Sequence, residues 1–199
     1  MDGDTAHFLI GDISGHSISA ALVMAVCKGL FMTIGKEMSD PAEIIAAANR
    51  SLVRMLSESG MYLTMIYLVC DRKSRILKAA SAGHNPAYLY GSSATFSIDA
   101  TGPPIGWDLD DSWTASEYRI SKGDKILLYT DGLIEIRNPE GDFFHEDIFS
   151  GVDSSLTVQE MLDKVFRKAE SFCNGVFEDD LTIFAFSFDA DQQDDGVSG

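Results

Sequence analysis

An apolar run of strand length from Ala6 to Ile10 is broken by the small and acidic residues Gly11 to Ser17, after which an alanine-rich apolar stretch begins. Ile18, Ala21, Leu22, Ala25, Val26, Gly29 and Leu30 recur there at three-and-four spacing, which predicts a helix from about Ser17. Val23, Met24 and Cys27 add apolar surface on its other sides, so this helix is expected to be buried around much of its circumference. A second helix is announced by Asp40 as N-cap, Pro41 at the first helical position and Glu43 three residues after the cap, a capping-box arrangement. Its core stripe is Ile44, Ile45, Ala48, Leu52, Met55 and Leu56, and it ends before Gly60.

From Tyr62 the pattern changes to strands: Tyr62 to Val69, Ile76 to Ala80 and Ala87 to Tyr90, separated by the turns Asp71-Arg72-Lys73-Ser74 and Asn85-Pro86. Connections this short favour antiparallel neighbours, because a parallel return needs a crossover of about a dozen residues or more. The proline- and aspartate-rich segment Gly102 to Ser112 reads as a surface loop, with Trp107 and Trp113 expected to pack it against the sheet. Strand-like runs resume at Trp113 to Ile120 and Lys125 to Thr130, joined through Ser121-Lys122-Gly123-Asp124. A last helix carries its own capping box, Thr157 to Glu160, and a last strand covers Leu181 to Phe188. Helices outside a largely antiparallel sheet make an α+β layered fold, with residues 1–188 as one domain.

Composition narrows the class further. The net charge of −16 opposes binding to nucleic acid or to anionic membrane surfaces. Four of the acids, Asp189, Asp191, Asp194 and Asp195, fall in a closing segment with almost no apolar residue, so 189–199 is expected to be a disordered tail. No apolar run reaches the length of a membrane span and no secretory leader pattern opens the chain, which predicts a cytoplasmic protein. Cys27, Cys70 and Cys173 are scattered and odd in number, so they read as buried reduced thiols rather than a zinc or disulfide framework.

Three acidic punctuations stand beside strand-like runs: Asp12 in Gly11-Asp12-Ile13, Asp131 in Thr130-Asp131-Gly132, and Asp179-Asp180 before the last strand. Hard cations such as Mg²⁺ and Mn²⁺ take oxygen ligands, one or two carboxylates per ion, so aspartates converging from three chain segments suit a pair of ions. Two such ions orient and activate a water and stabilise both oxygens of an in-line displacement at phosphorus. No nucleophile elbow of the G-x-S-x-G kind competes with that reading.

The strings G-D-I-S-G-H-S-I-S-A-A-L-V-M-A (Gly11 to Ala25), S-A-G-H-N-P-A (Ser81 to Ala87), Y-T-D-G-L-I-E (Tyr129 to Glu135) and D-D-L-T (Asp179 to Thr182) occur in this order. Together they resemble the SpoIIE-type bacterial metal-dependent protein phosphatases of the type 2C-like (PPM) superfamily, over nearly the whole chain. The resemblance implies an α-β-β-α sandwich of two antiparallel sheets flanked by helices, with two Mn²⁺ or Mg²⁺ ions at one edge. It implies Asp12 as the carboxylate bridging both ions, the Ile13 carbonyl beside it, and Asp131 and Asp179 as further ligands with Asp180 in reserve. The implied activity is hydrolysis of phosphoserine or phosphothreonine on a protein, with a STAS-type anti-anti-sigma factor as partner in stress or developmental signalling. His16 is the candidate proton shuttle, since imidazole titrates near neutral pH. His84 reads as a turn residue.

Two departures from the family pattern carry expectations. The family's Gly-Gly-Asp strand, which supplies another ligand, is missing, so the chain is expected to be an N-terminally truncated part of a longer protein with an upstream sensory or receiver domain. A catalytically weak docking module controlling sigma-factor activity is the alternative reading, and a homodimer is left open. Ser17 stands where the family usually has glycine, which would strain the turn if a positive φ were needed there. Lys and Arg are absent from the four strings, so no phosphate clamp is named.

Overall fold

The computed structural model describes residues 5–15, 17–144, 149 and 151–188. Strand β1 (Thr5–Ile13) leads into α1 (Ile18–Ile34) and α2 (Pro41–Ser59). Strands β2 (Leu63–Asp71), β3 (Ile76–Ala82), β4 (Ala87–Tyr90), β5 (Thr95–Ile98), β6 (Ser116–Arg119) and β7 (Lys125–Tyr129) follow. A single 3₁₀ turn (Asp131–Leu133), α3 (Val158–Phe172) and β8 (Ile183–Ser187) complete the order. The strands form two four-stranded sheets, β1-β2-β3-β6 and β5-β4-β7-β8, with every pairing antiparallel.

Three apolar layers hold the sandwich. Ile66, Leu68, Leu77, Leu89, Ile126 and Leu128 fill the space between the sheets. On the outer face of the first sheet, Leu63, Met65 and Tyr67 meet Ile44, Ile45, Leu52 and Leu56 of α2. On the outer face of the second, Leu127 and Tyr129 meet Met161, Val165 and Ala169 of α3. Because β2 and β7 are covered on both sides, they read as continuous apolar runs rather than alternating ones. The helix–sheet–sheet–helix order is the α+β sandwich expected from the sequence.

The helix signals hold at α2 and α3. Asp40 Oδ1 accepts from the Ala42 and Glu43 N–H groups, the aspartate half of the expected box, and Gly60 closes α2 in the left-handed conformation. At α3 the box is complete, with Thr157 Oγ1 accepting from Glu160 N–H and the Glu160 carboxylate accepting from Thr157 N–H.

The expected burial of α1 is overturned. Ala20, Cys27 and Phe31 are its buried residues, whereas Ile18 is 83% exposed, and Leu22, Val26 and Met32 also face outward. Nearly every side of α1 is apolar, so three-and-four spacing alone could not single out the face that packs on α2.

Chain routing also differs from the expectation of simple neighbours. The Asn85-Pro86 turn carries the chain from β3 in one sheet to β4 in the other, and Ser121–Asp124 likewise carries β6 across to β7. Strand β5 was not foreseen. Its residues Thr95, Phe96 and Ser97 are exposed and leave only Ile98 buried, so the segment has little apolar signal. Trp113 is buried and its Nε1–H donates to the Pro103 carbonyl, as a packing residue should. Trp107 instead is 66% exposed, its ring tilted against Tyr62 with centroids 6.3 Å apart.

All three cysteines are free and buried. Among the described residues no helix is long and apolar enough to cross a membrane. The expected tail, 189–199, lies outside the described residues.

Candidate metal centre

Asp12 stands at the penultimate position of β1, opposite Thr64 of β2. The chain leaving β1 is pinned at once, because Ser14 N–H donates to the Tyr62 carbonyl and Ser14 Oγ accepts from Tyr62 N–H, both at 2.9 Å. Ser17 then caps α1, its Oγ accepting from Ala20 N–H at 3.2 Å, with φ −87° and ψ 166°. This is ordinary extended backbone, so serine replaces glycine there without strain. His16, the candidate proton shuttle, lies outside the described residues.

Asp131 opens the 3₁₀ turn directly after β7, and its own carbonyl accepts from the N–H groups of Ile134 and Glu135. The turn is stitched to the segment before β8 by two bonds: Thr130 N–H to the Thr182 carbonyl at 3.0 Å, and Thr182 N–H to Thr130 Oγ1 at 3.2 Å. Gly132 makes this contact close. A β-carbon there would collide with the Asp180 carbonyl oxygen and stand 3.2 Å from the carbonyl carbon. The second and third acidic motifs are therefore one backbone unit. Asp180 contributes its carbonyl to that unit, while Asp179 Oδ1 accepts from Asp180 N–H at 2.7 Å.

Electrostatics connects this unit to β1. The Asp12 pKa is raised above the ordinary carboxylate value, first by burial and then by the negative charge of Asp131, with Asp179 and Glu135 adding to it. The Ile13 backbone N–H pulls the other way, by hydrogen bonding to the ionised carboxylate. Asp12 on the first sheet is thus near enough to Asp131 and Asp179 of the second to feel their charges, as it does that of Glu135, which lay inside a quoted string without a role of its own. Among the described residues no three His, Cys, Asp or Glu side chains are gathered tightly enough to hold an ion by themselves. Mutual repulsion of carboxylates without a cation works against such gathering.

A site of aspartate oxygens in which one carboxylate resists ionisation is suited to a hard divalent cation, whose charge would reverse that resistance. The consequence for stability has a definite sign. Asp12 holds its proton more firmly in the folded than in the unfolded chain. Its cost is therefore absent at acid pH and grows as pH rises through the carboxylate range. We expect the metal-free melting temperature to fall over that range relative to Asp12→Asn, and Mg²⁺ to reverse the fall at neutral pH. Parallel pH profiles for wild type and Asp12→Asn in EDTA would refute this.

Two further residues escaped the sequence reading. His84 sits in the expected turn, but its ring is 5% exposed, with Nδ1 3.1 Å from Thr64 Oγ1. Arg137 borders a cleft of about 360 Å³ shared with Gly132, Glu135 and Asp179, its guanidinium 3.9 Å above the Phe143 ring. A bulky apolar partner for Arg137 arrives through a short hairpin, a signal too local and too common to stand out in the sequence.

A family model described as "Stage II sporulation protein E (SpoIIE)" matches residues 2–189. The chain is 26% identical over 196 residues to "Phosphoserine phosphatase RsbU" of Bacillus subtilis (strain 168), covering 92% of this chain and 58% of that protein. It spans 58% of the length of that relative, and 32% and 34% of two other curated relatives. Among solved structures, the SiaA-PP2C domain of Pseudomonas aeruginosa superposes with a TM-score of 0.78 at 20% identity, covering 95% of this chain and 78% of that one. The RsbU and RsbW domains of Rv1364c from Mycobacterium tuberculosis superpose at 0.74 and 25% identity, covering 94% of this chain and 53% of that one. These likenesses establish the PP2C fold.

Proposed function

Because the chain belongs to the stage II sporulation protein E (SpoIIE) family, we propose that it hydrolyses phosphoserine or phosphothreonine on a regulatory protein with the help of Mn²⁺ or Mg²⁺. The observation that carries this reading is the backbone unit in which Thr130, Gly132 and Thr182 join the Asp131 turn to the Asp179 segment, with Asp12 of the other sheet near enough to feel both charges. Similarity to a phosphoserine phosphatase supports the reaction class. For the partner, the four motifs favour a phosphorylated STAS-type anti-anti-sigma factor in the cytoplasm.

In this mechanism Asp12, Asp131 and Asp179 would hold the cations, with the Ile13 carbonyl beside Asp12 and Asp180 in reserve. Bound there, the cations would supply Lewis-acid stabilisation of phosphoryl charge and an activated water. The chain's own part is placement. Thr130, Gly132 and Thr182 keep Asp131 against the Asp179 segment, and the Ser14–Tyr62 bonds pin the end of β1 to the residue before β2. Preset positions of this kind lower the reorganisation needed at the transition state. His16 is assigned to protonate the departing serine or threonine oxygen.

The test is phosphate release from a serine-phosphorylated STAS protein, in Mn²⁺ and in EDTA. Release in Mn²⁺ and none in EDTA is expected; equal release in both, or none in either, rejects the reading. A docking module is the second reading, favoured by the absence of a gathered three-residue ligand set among the described residues. It predicts stoichiometric binding of the same phosphoprotein without turnover.

A further inference from the structure

Arg137 follows closely on the Asp131 turn and is set in place by a short hairpin. At its base Ile136 is buried and its carbonyl accepts from Phe144 N–H at 2.9 Å, while the next residue, Arg137, is exposed and pairs with Phe143 across the hairpin. The loop Asn138-Pro139-Glu140-Gly141-Asp142 closes on itself. Asn138 N–H donates to the Asp142 carbonyl at 3.0 Å, Asp142 N–H donates to Asn138 Oδ1 at 2.7 Å, and Gly141 takes φ +91°. Asparagine, proline and glycine in this order fix a turn, so the hairpin presents Arg137 from a defined backbone.

The guanidinium lies 3.9 Å from the centre of the Phe143 ring. A contact over the ring engages the flat face of the guanidinium and leaves its in-plane N–H groups for other partners. One of them, on Nη1, reaches the Gly141 carbonyl at 3.4 Å, a long bond. The cleft that Arg137 borders, about 360 Å³, is also lined by Gly132, Glu135, Glu178 and Asp179. Three of these carry carboxylates and Arg137 is the one cation of the lining, yet among the described residues no ion pair joins it to any of them.

A phosphoserine side chain brings about −1.5 to −2 charges at pH 7. A chain of net charge −16, with three carboxylates at the cleft, opposes its entry unless a cation receives it. Resting on the phosphatase reading, we propose that Arg137 binds the phosphate of the substrate: its guanidinium, stacked on Phe143, donates two hydrogen bonds to phosphoryl oxygens in the cleft that Asp179 also lines. Arginine suits this task because its fork meets two oxygens at once, whereas lysine offers a point charge. It thereby supplies the phosphate clamp that the four acidic and glycine-rich strings lack.

The experiment compares the full chain with Arg137→Ala and Arg137→Lys. It reads Mg²⁺ affinity, binding of inorganic phosphate to the Mg²⁺-loaded protein by calorimetry, and kcat/KM for an aryl phosphate and for a phosphoserine protein. Arg137→Ala is expected to keep wild-type Mg²⁺ affinity and to weaken phosphate binding about tenfold or more. On both substrates kcat/KM should fall by a similar factor, since the phosphate is the group they share. Arg137→Lys should recover only part of the loss, because it restores the charge without the fork. Unchanged phosphate binding in Arg137→Ala, a loss confined to the phosphoprotein, or a parallel loss of Mg²⁺ affinity overturns the proposal.

The wild-type chain gives a second test that needs neither a variant nor turnover. The Arg137 Nε resonance must shift when inorganic phosphate is added to the Mg²⁺-loaded protein, and an unmoved resonance overturns the proposal. A wild-type chain that binds neither Mn²⁺ nor Mg²⁺ would reject the phosphatase reading, and the proposal with it.

Discussion

Asp131→Ala is expected to reduce Mn²⁺-dependent release of phosphate from a phosphoserine protein on the order of 10²-fold or more, without lowering the metal-free melting temperature. The two halves of this result have one cause. Asp131 is the largest charge acting on Asp12, so its removal lets Asp12 ionise more readily and relieves the metal-free chain. The same removal deletes the carboxylate that starts the turn after β7 and with it a proposed ligand. A structural aspartate would show the opposite pattern, with stability falling and activity following it. The upward shift in melting temperature that Mn²⁺ gives the wild type should also shrink in Asp131→Ala. Asp110→Ala, in the exposed loop after Trp107, serves as a control expected to match the wild type. An Asp131→Ala protein with wild-type turnover would remove this residue from the mechanism.

Gly132→Ala is expected to lose activity on the order of 10²-fold and stability of about 1–3 kcal/mol, although it adds a single methyl group. The new β-carbon would meet the Asp180 carbonyl, a backbone group with no rotamer to yield. Relief requires the Asp131 turn and the Asp179–Thr182 segment to separate, against the bonds between Thr130 and Thr182. The two carboxylates would then no longer share one register. Gly132 takes no left-handed φ, so the requirement is for space alone and not for conformational freedom. Thermal melts and Mn²⁺ titration of this variant check both halves. Normal metal affinity together with normal stability would mean that the neighbouring segment gives way.

The aspartates themselves were legible because short polar turns beside apolar strand runs are local events. Asp12, Asp131 and Asp179 could be picked out by position, and the order of the four motifs supplied the family. Their environment was less accessible. Glu135 stood inside a recognised string, yet its influence on Asp12 depends on how two sheets meet. His84 looked like a turn residue since Asn85-Pro86 follows it. Its burial against Thr64, 20 residues earlier, follows from the crossing between sheets. Arg137 gave no sign of the cleft that it borders.

Sequence alone determined the elements whose signals act within a few residues: the capped helices α2 and α3, the runs of β2 and β7, and the acidic turns. Caps, helical spacing and apolar runs are set by neighbours along the chain, so they can be read there. Tertiary structure alone decided which side of α1 is buried, which sheet each strand joins, and which groups stand behind the carboxylates. On α1 nearly every side is apolar, so its orientation is chosen by the shape and contacts of α2 and β2 rather than by its own pattern. The same short turn that would close a hairpin in one sheet instead passes to the other at Asn85-Pro86, because burial between the two sheets favours that route.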